Sequence, residues 1–293
     1  MERPQQPYFD LFDEKGIRYE LKNGFLTVEG QLTPGAFRLP GNVSSQFVTG
    51  LLYALPLLAG DSRIVLTTDL ESRSYVDMTL EALSAFGVTA AWEDSRTLAV
   101  PGGQSYIPAT VRVEGDWSQA AFWFAAISLG SRLEIEGLQQ LSAQGDRVIR
   151  DHFVRLTPPG DVDIDLSGCP DLAPPLAAMA VLRRGDTRLL NAGRLRLKES
   201  DRLTSITAAL GALGASIEEQ PDSLIVHGVE TLAGGCTVDC WNDHRIAMMT
   251  AIAATRCEKP VALLGAECVA KSYPDFWRDY QMLGGEIREH TGK

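Results

Sequence analysis

The sequence predicts an α/β protein assembled from repeated βαβαββ units, and three observations carry that prediction. Four segments of the chain share one order, in which a short extended stretch and a polar turn lead into a small-residue-rich apolar helix and then a β-branched strand. Each is followed by a second helix, and three of those helices end just before Gly87, Gly214 and Gly284, as a left-handed cap requires. Two units then close with a pair of short strands. The spacing, roughly 55 to 75 residues per copy, is too long for a solenoid and fits a few copies packed about an approximate symmetry axis.

Taken in order, the chain opens with a helix over Tyr8–Lys15 and strands over Ile17–Leu21 and Phe25–Glu29, so that it begins midway through a unit or carries a cap of its own. The next turn, Leu39-Pro-Gly-Asn-Val-Ser-Ser-Gln46, precedes a helix over Phe47–Ala59, a strand over Arg63–Thr68, a helix over Tyr75–Phe86, and closing strands Val88–Trp92 and Thr97–Val100. Val113-Glu-Gly-Asp-Trp-Ser118 leads to a helix over Gln119–Leu129, a strand over Arg132–Glu136 and a helix over Gln144–Phe153. From Asp116 to about Pro158 no closing strands are expected. Leu166-Ser-Gly-Cys-Pro-Asp171 leads to a helix over Leu172–Leu182, a strand over Thr187–Asn191, a helix over Ser200–Leu213, and strands Ser216–Glu218 and Leu224–His227. Val238-Asp-Cys-Trp-Asn-Asp243 leads to a helix over His244–Thr255, a strand over Pro260–Leu264 and a helix over Pro274–Leu283. The expected domains are residues 1–110 and 111–293.

Composition narrows the function. With 293 residues, 45% of them hydrophobic, the chain can bury a core for about two domains. A net charge of −11 argues against nucleic acid or an anionic membrane as partner, and any positive field must be focal. Five cysteines, an odd number spread through apolar segments, fit buried thiols in a reducing cytosol. Residues Met1–Asp10 lack an apolar signal region, and no apolar run reaches about 18 residues, so the expected location is cytoplasmic.

Candidate functional residues gather at helix starts. A helix N-terminus already carries roughly half a positive charge, so a cation in its first turn is better explained by an anion bound in front of it. Arg202 occupies that position after Lys198, Glu199 and Ser200, which can cap the helix; His244 and Arg245 occupy it after Asp243. Lys271 approaches another, three residues before Pro274. Two such starts suggest a polyanionic small molecule. Ser44, Ser45 and Gln46 place two hydroxyls and an amide at an apolar helix, an ordinary N-cap taken alone. Asp171 can cap in the same way, yet a carboxylate beside an anion site can serve as a general base. Cys236 and Cys240 have no second Cys/His pair nearby, so no zinc site is expected. Phosphate-binding, dinucleotide-binding and nucleophile-elbow motifs are absent. Met248 and Met249, and Trp117, Phe122, Trp123 and Phe124, read as buried helix surface.

These segments also resemble a known family. Ser44-Ser45-Gln46, Pro170-Asp171, Lys198-Glu-Ser-Asp-Arg202, Asp243-His-Arg245 and Ala270-Lys-Ser-Tyr-Pro-Asp275 match, in order and spacing, motifs of the 5-enolpyruvylshikimate-3-phosphate synthases. The likeness runs from about Tyr8 to Glu289. It implies the enolpyruvyl transferase fold, an inside-out α/β barrel of two domains with three βαβαββ units each. It also implies transfer of the enolpyruvyl group of phosphoenolpyruvate to the 5-hydroxyl of shikimate 3-phosphate, releasing phosphate, on the route to chorismate and the aromatic amino acids. The family is the glyphosate target. By the same resemblance, Ser44, Ser45 and Gln46 hold shikimate 3-phosphate, Ser72 and Tyr75 support its phosphate, and Gln46 also touches phosphoenolpyruvate. Asp171 is the base on the attacking hydroxyl, Lys198 a substrate ligand that helps move that proton, and Glu199 the group that protonates the methylene carbon and later takes the proton back. Arg202 and Arg245 clamp the carboxylate, with His244 beside them and Lys271 on the phosphate side. Such addition and elimination need a base, an acid and fixed cations, so no metal or organic cofactor is implied.

The departures lie at the N-terminal side. The family's Gly-Ser-Lys-Ser segment, its Asn-x-Gly-Thr loop and the arginines that follow each do not occur in these 293 residues. Roughly the first third of the fold is therefore expected to be absent, leaving the last unit of one domain and most of the other. The chain is expected to be a monomer that needs the missing segment and is inactive alone. Two further readings stand beside this one: a UDP-N-acetylglucosamine enolpyruvyl transferase, against which the Lys-Glu-Ser-Asp-Arg motif speaks, and a non-catalytic fragment that completes a partner polypeptide.

Overall fold

The computed structural model describes residues 5–289. Residues 1–4, part of the stretch read as lacking a signal region, and residues 290–293 lie outside the described residues. The chain divides into two compact units. One takes in the described residues through Val113 together with 143–145, and the other Glu114–Ser142 with the described residues from Asp146 onward.

In the first unit, α1 (Gln6–Lys15) ends at the left-handed Gly16 and is followed by an antiparallel hairpin of β1 (Arg18–Lys22) and β2 (Phe25–Glu29). A full βαβαββ unit comes next: β3 (Ala36–Leu39), α2 (Ser45–Ala54), β4 (Ser62–Leu66), α3 (Arg73–Ala85), β5 (Ala91–Trp92) and β6 (Thr97–Val100). The crossover through α2 makes β3 and β4 parallel, and β6 pairs antiparallel with both β4 and β5, so the sheet order is β3-β4-β6-β5. Phe37, Leu39, Val48, Leu52, Ile64 and Leu98 fill the space between sheet and helices. Helix α2 was expected to reach Ala59 but stops at Ala54. The chain tightens into a 3-10 turn over Leu55–Leu57, because Pro56 has no N–H to donate and its ring crowds the preceding turn.

The second unit repeats that topology. Its β7 (Val162–Asp165), α6 (Ala173–Ala180), β8 (Asp186–Leu190), α7 (Arg202–Leu213), β9 (Ser216–Glu219) and β10 (Leu224–His227) form a sheet ordered β7-β8-β10-β9, with the same parallel and antiparallel pairings. Two short parallel pairs follow. One joins β11 (Leu232–Gly234) to β13 (Cys257–Lys259), and the other joins β12 (Thr237–Asp239) to β14 (Ala262–Leu264), with α8 (His244–Ala254) as the crossover. The chain ends in α9 (Phe276–Met282). Helix α8 is buried all round against α4 (Trp117–Ser128), α6 and α7, which explains an apolar sequence without a polar face. No helix among the described residues is long and apolar enough to cross a membrane.

Several expected elements differ. Residues 132–136 keep a strand's alternating exposure but join no ladder among the described residues, since alternation marks two faces and does not supply a partner. The helix expected over Gln144–Phe153 is a 3-10 turn over Gly145–Val148 followed by α5 (Ile149–Leu156), the buried Asp146 bonding Ser118 on α4. Helix α6 is preceded by a 3-10 turn over Pro170–Leu172, and α9 starts two residues after Pro274. Strands β11 and β13, three residues each, were too short to read from periodicity.

Candidate active site

Three helix starts in the second unit bring the charged residues together. Helix α6 is entered through the Pro170–Leu172 turn, which carries Asp171 on its middle residue. Helix α7 begins at Arg202. Its cap is Asp201, whose carboxylate accepts from the Thr204 N–H at 3.3 Å, and not Ser200 as the sequence suggested. Ser200 instead donates its hydroxyl to Asp243 at 3.0 Å. Helix α8 begins at His244 with Asp243 as cap, accepting from the Arg245 N–H at 3.0 Å. The chain approaches that cap through Trp241 and Asn242, both with left-handed backbone, φ +47° and +53°. For residues other than glycine this conformation is costly, and Asn242 is held by Lys271, whose Nζ donates to its carbonyl at 2.6 Å.

Arg202 is the centre of the arrangement. Its side chain is 1% exposed and faces three carboxylates: Nε donates to Asp243 at 2.8 Å, Nη1 to Asp171 at 2.7 Å and Nη2 to Glu199 at 2.5 Å. Burial would lower its pKa, but Asp171, Asp243 and Glu199 together raise it, so the guanidinium is charged at any working pH. Asp171 in turn lies across several cations. Its Oδ1 meets Arg202 and, at 3.5 Å, the Lys198 ammonium; its Oδ2 meets Arg245 Nη2 at 3.2 Å, while Arg245 Nη1 donates to the Asp171 carbonyl at 3.3 Å. Three cations and three carboxylates thus interleave. The positive field inferred from helix-start arginines is matched locally, ion by ion, and the net charge of this knot is near zero.

The electrostatics follow from that packing. Burial lowers the Lys198 pKa and neighbouring Arg202 adds to the effect, with Asp171 opposing it. Burial pushes Glu199 up, yet the Arg202 charge beside it more than offsets this and holds the carboxyl below its ordinary value. Asp243, wholly buried, is depressed in the same way. His244 is lowered by burial and by Arg245, hence neutral near pH 7, and its buried Nδ1 has no hydrogen-bond partner among the described residues. Asp146 was not singled out by sequence. Its carboxyl, pushed up to about 6 by burial and by the charge of Asp171, accepts a hydrogen bond from Ser118. The Gln-Gly-Asp run before a helix was the available signal for it.

The other site residues inferred from sequence lie in the first unit. Ser44 is the N-cap of α2, its Oγ accepting from the Gln46 N–H at 3.3 Å; Ser45 is buried and Gln46 exposed. Ser72 precedes α3 in left-handed backbone, φ +56°, and is buried; Tyr75 is half-buried in the first turn of α3.

Chemically, the second-unit knot joins a carboxylate base candidate, a second carboxylate paired to arginine, and cations fit for a carboxylate or phosphate. A family model described as EPSP synthase (3-phosphoshikimate 1-carboxyvinyltransferase) matches residues 1–280. A 3-phosphoshikimate 1-carboxyvinyltransferase of Clostridium kluyveri is 47% identical over 306 aligned residues, covering 99% of this chain and 72% of the relative. One from Clostridium perfringens is 46% identical, with 98% and 72% covered. Among solved structures, an EPSP synthase from Acinetobacter baumannii has a TM-score of 0.81 at 22% identity, over 98% of this chain and 72% of that one. The enolpyruvyl transferase NikO from Streptomyces tendae has a TM-score of 0.77 at 19% identity, over 100% and 74%. Both structural matches speak for the fold.

Proposed function

The chain belongs to the EPSP synthase family, whose reaction moves the enolpyruvyl group of phosphoenolpyruvate to the 5-hydroxyl of shikimate 3-phosphate, and we propose that its second unit carries the acid–base chemistry of that transfer. In this reading Asp171 takes the hydroxyl proton as the oxygen attacks the enol carbon. Glu199 delivers a proton to the methylene carbon in the addition and removes one in the elimination, when the carbon–phosphate bond breaks and phosphate leaves. Arg202 and Arg245 hold the carboxylate, Lys271 lies toward the phosphate, Lys198 assists at the hydroxyl and His244 lines the site. Ser44, Ser45, Gln46, Ser72 and Tyr75 bind shikimate 3-phosphate. The observation that carries the reading is the convergence of Lys198, Arg202 and Arg245 on Asp171, with Glu199 on the same guanidinium. Nothing in the scheme calls for a metal or organic cofactor.

In an enzyme complete in this family's motifs, Asp171→Asn keeps shape and hydrogen-bonding capacity but removes the base. Turnover is expected to fall by roughly 100-fold or more while shikimate 3-phosphate still binds. Equal losses in rate and binding would reduce Asp171 to a ligand anchor.

The 293 residues span 72% of the Clostridium kluyveri relative. Tested as they stand, they are proposed to be a cytoplasmic monomer without measurable turnover, because these 293 residues lack the family's Gly-Ser-Lys-Ser and Asn-x-Gly-Thr segments and the arginines that follow them. A phosphate-release assay on the purified chain, with and without a polypeptide corresponding to the relatives' unmatched segment, decides it. Sedimentation gives the oligomeric state. Robust turnover dependent on shikimate 3-phosphate without that polypeptide would falsify the incomplete-site reading.

A further inference from the structure

The Arg202 fork poses a problem for the proposed carboxylate clamp. Its guanidinium is 1% exposed and each of its three nitrogens already donates to a carboxylate. Four of its five N–H groups are directed at carboxylates, so a ligand that is to take two of them side by side needs one carboxylate to give way. The three are not equally committed. Asp243 is fully buried, caps α8 through the Arg245 N–H and accepts the Ser200 hydroxyl, so moving it would undo a helix start. Glu199 accepts from Arg202 Nη2 through one oxygen. Asp171 is placed differently. One of its oxygens takes Arg202 Nη1 and the other takes Arg245 Nη2, so its carboxylate bridges the two arginines as a ligand carboxylate would. It sits on a short 3-10 turn ahead of α6, and its side chain, 13% exposed, lies between the more open Glu199 at 29% and the buried Asp243, so it is the bridging geometry and not exposure that singles it out.

Resting on the clamp role proposed for the two arginines, we propose that Asp171 is an internal counter-anion of the Arg202–Arg245 pair: an incoming carboxylate or phosphate seats on the two arginines in exchange for the Asp171 carboxylate, and the exchange releases Asp171 to act as the base. One event then opens the clamp and arms the proton acceptor. The acceptor hydroxyl is not deprotonated before the second substrate has arrived. The same exchange draws Arg202 toward the ligand and away from Glu199, whose acidity that guanidinium now maintains, and so favours the protonated form that the addition step requires. Asp243 holds the Nε edge of Arg202 throughout and is a positioning residue.

The exchange makes a prediction opposite in sign to that of a ligand anchor. If the clamp is accessible in only about a tenth of molecules, removing the internal anion raises apparent affinity about tenfold, because the fraction competent to bind sets the observed constant. Inorganic phosphate is titrated calorimetrically into the 293-residue chain, its Asp171→Asn variant and its Arg245→Gln variant. The expected result is binding about tenfold tighter in Asp171→Asn and abolished in Arg245→Gln. Unchanged or weaker binding in Asp171→Asn, or none in either it or the parent chain, overturns the exchange. If Arg245→Gln alone abolishes binding, the exchange fails while the clamp stands; if Arg245→Gln binds phosphate as the parent does, the clamp itself is misplaced and the proposal falls with it. A second measurement reads the exchange in the parent chain itself. In the parent chain labelled with carboxyl-13C aspartate, the Asp171 resonance, identified by its loss in the Asp171→Asn spectrum, moves as phosphate saturates. A stationary resonance overturns the proposal.

Discussion

The starts of α2 and α8 are built alike and charged differently. Each follows a polar turn, each is capped by a side-chain oxygen on an extended residue, and each leads into an apolar helix. At α2 the cap is Ser44, the next residues are neutral, and the cap accepts from the Gln46 N–H. At α8 the cap is Asp243, wholly buried, and its carboxylate also serves Arg202 from 41 residues away and Ser200 from 43. The difference teaches where a cap stays local and where it becomes part of an ion network. A hydroxyl meets one N–H and is satisfied. A buried carboxylate needs full charge compensation, which only residues distant in sequence can bring.

The largest test of that contrast is Arg202→Leu. Asp171, Glu199 and Asp243 would lose their shared cation, and Asp243 would be left as an uncompensated buried charge, costing about 3 to 5 kcal/mol of stability. Urea unfolding of the chain reads this as a lowered midpoint in the transition of the second unit. A shift under about 1 kcal/mol would mean that the network contributes no more than surface pairs do.

Much of this was legible in sequence, and the limits are physical. Capping is local chemistry, so Asp243 with Arg245, and Arg202 in a first turn, could be read from a few residues. The partner of Arg245 is Asp171, 74 residues earlier, and no periodicity encodes that distance. The sequence therefore suggested a positive cluster where the fold makes an alternating one. The choice between Ser200 and Asp201 as cap was likewise decided by tertiary structure, since Asp243 takes the Ser200 hydroxyl. The βαβαββ repeat could be read because its two complete copies keep helix and strand periods distinct. Residues 132–136 have the strand period and no ladder among the described residues, because pairing depends on a neighbour.

A pH experiment sharpens the contrast within the second unit. Asp146 has its folded pKa raised from 3.8 to about 6, so folding favours its protonated form; the stability this contributes is full below its ordinary value and is lost as pH rises through about 6. Asp243 and Glu199 are depressed, and the stability they contribute is present above their ordinary values and lost as pH falls through the folded ones. Between about pH 4 and 6 the Asp146 slope should therefore dominate. Asp146→Asn is expected to flatten that slope and to raise stability at pH 7 by about 3 kcal/mol, as the raised carboxyl no longer has to ionise. Chemical denaturation at a series of pH values checks both, and an unchanged slope would show that Asp146 ionises as freely folded as unfolded.

The smallest effect is expected at the neutral helix start. Ser44→Ala removes the acceptor of the Gln46 N–H, which then turns to water because the neighbouring Gln46 is exposed. An N-cap serine is worth about 1 kcal/mol, and a hydroxyl carries no charge for salt to screen, so the loss should stay near that figure and be indifferent to ionic strength. The core beneath, with Val48 and Leu52 wholly buried, should be undisturbed. Denaturation of Ser44→Ala at low and at high salt measures this directly. A loss well above about 2 kcal/mol, or one that shrinks as salt is added, would place Ser44 in a charged network like that of Asp243, and the distinction between the two helix starts would fail.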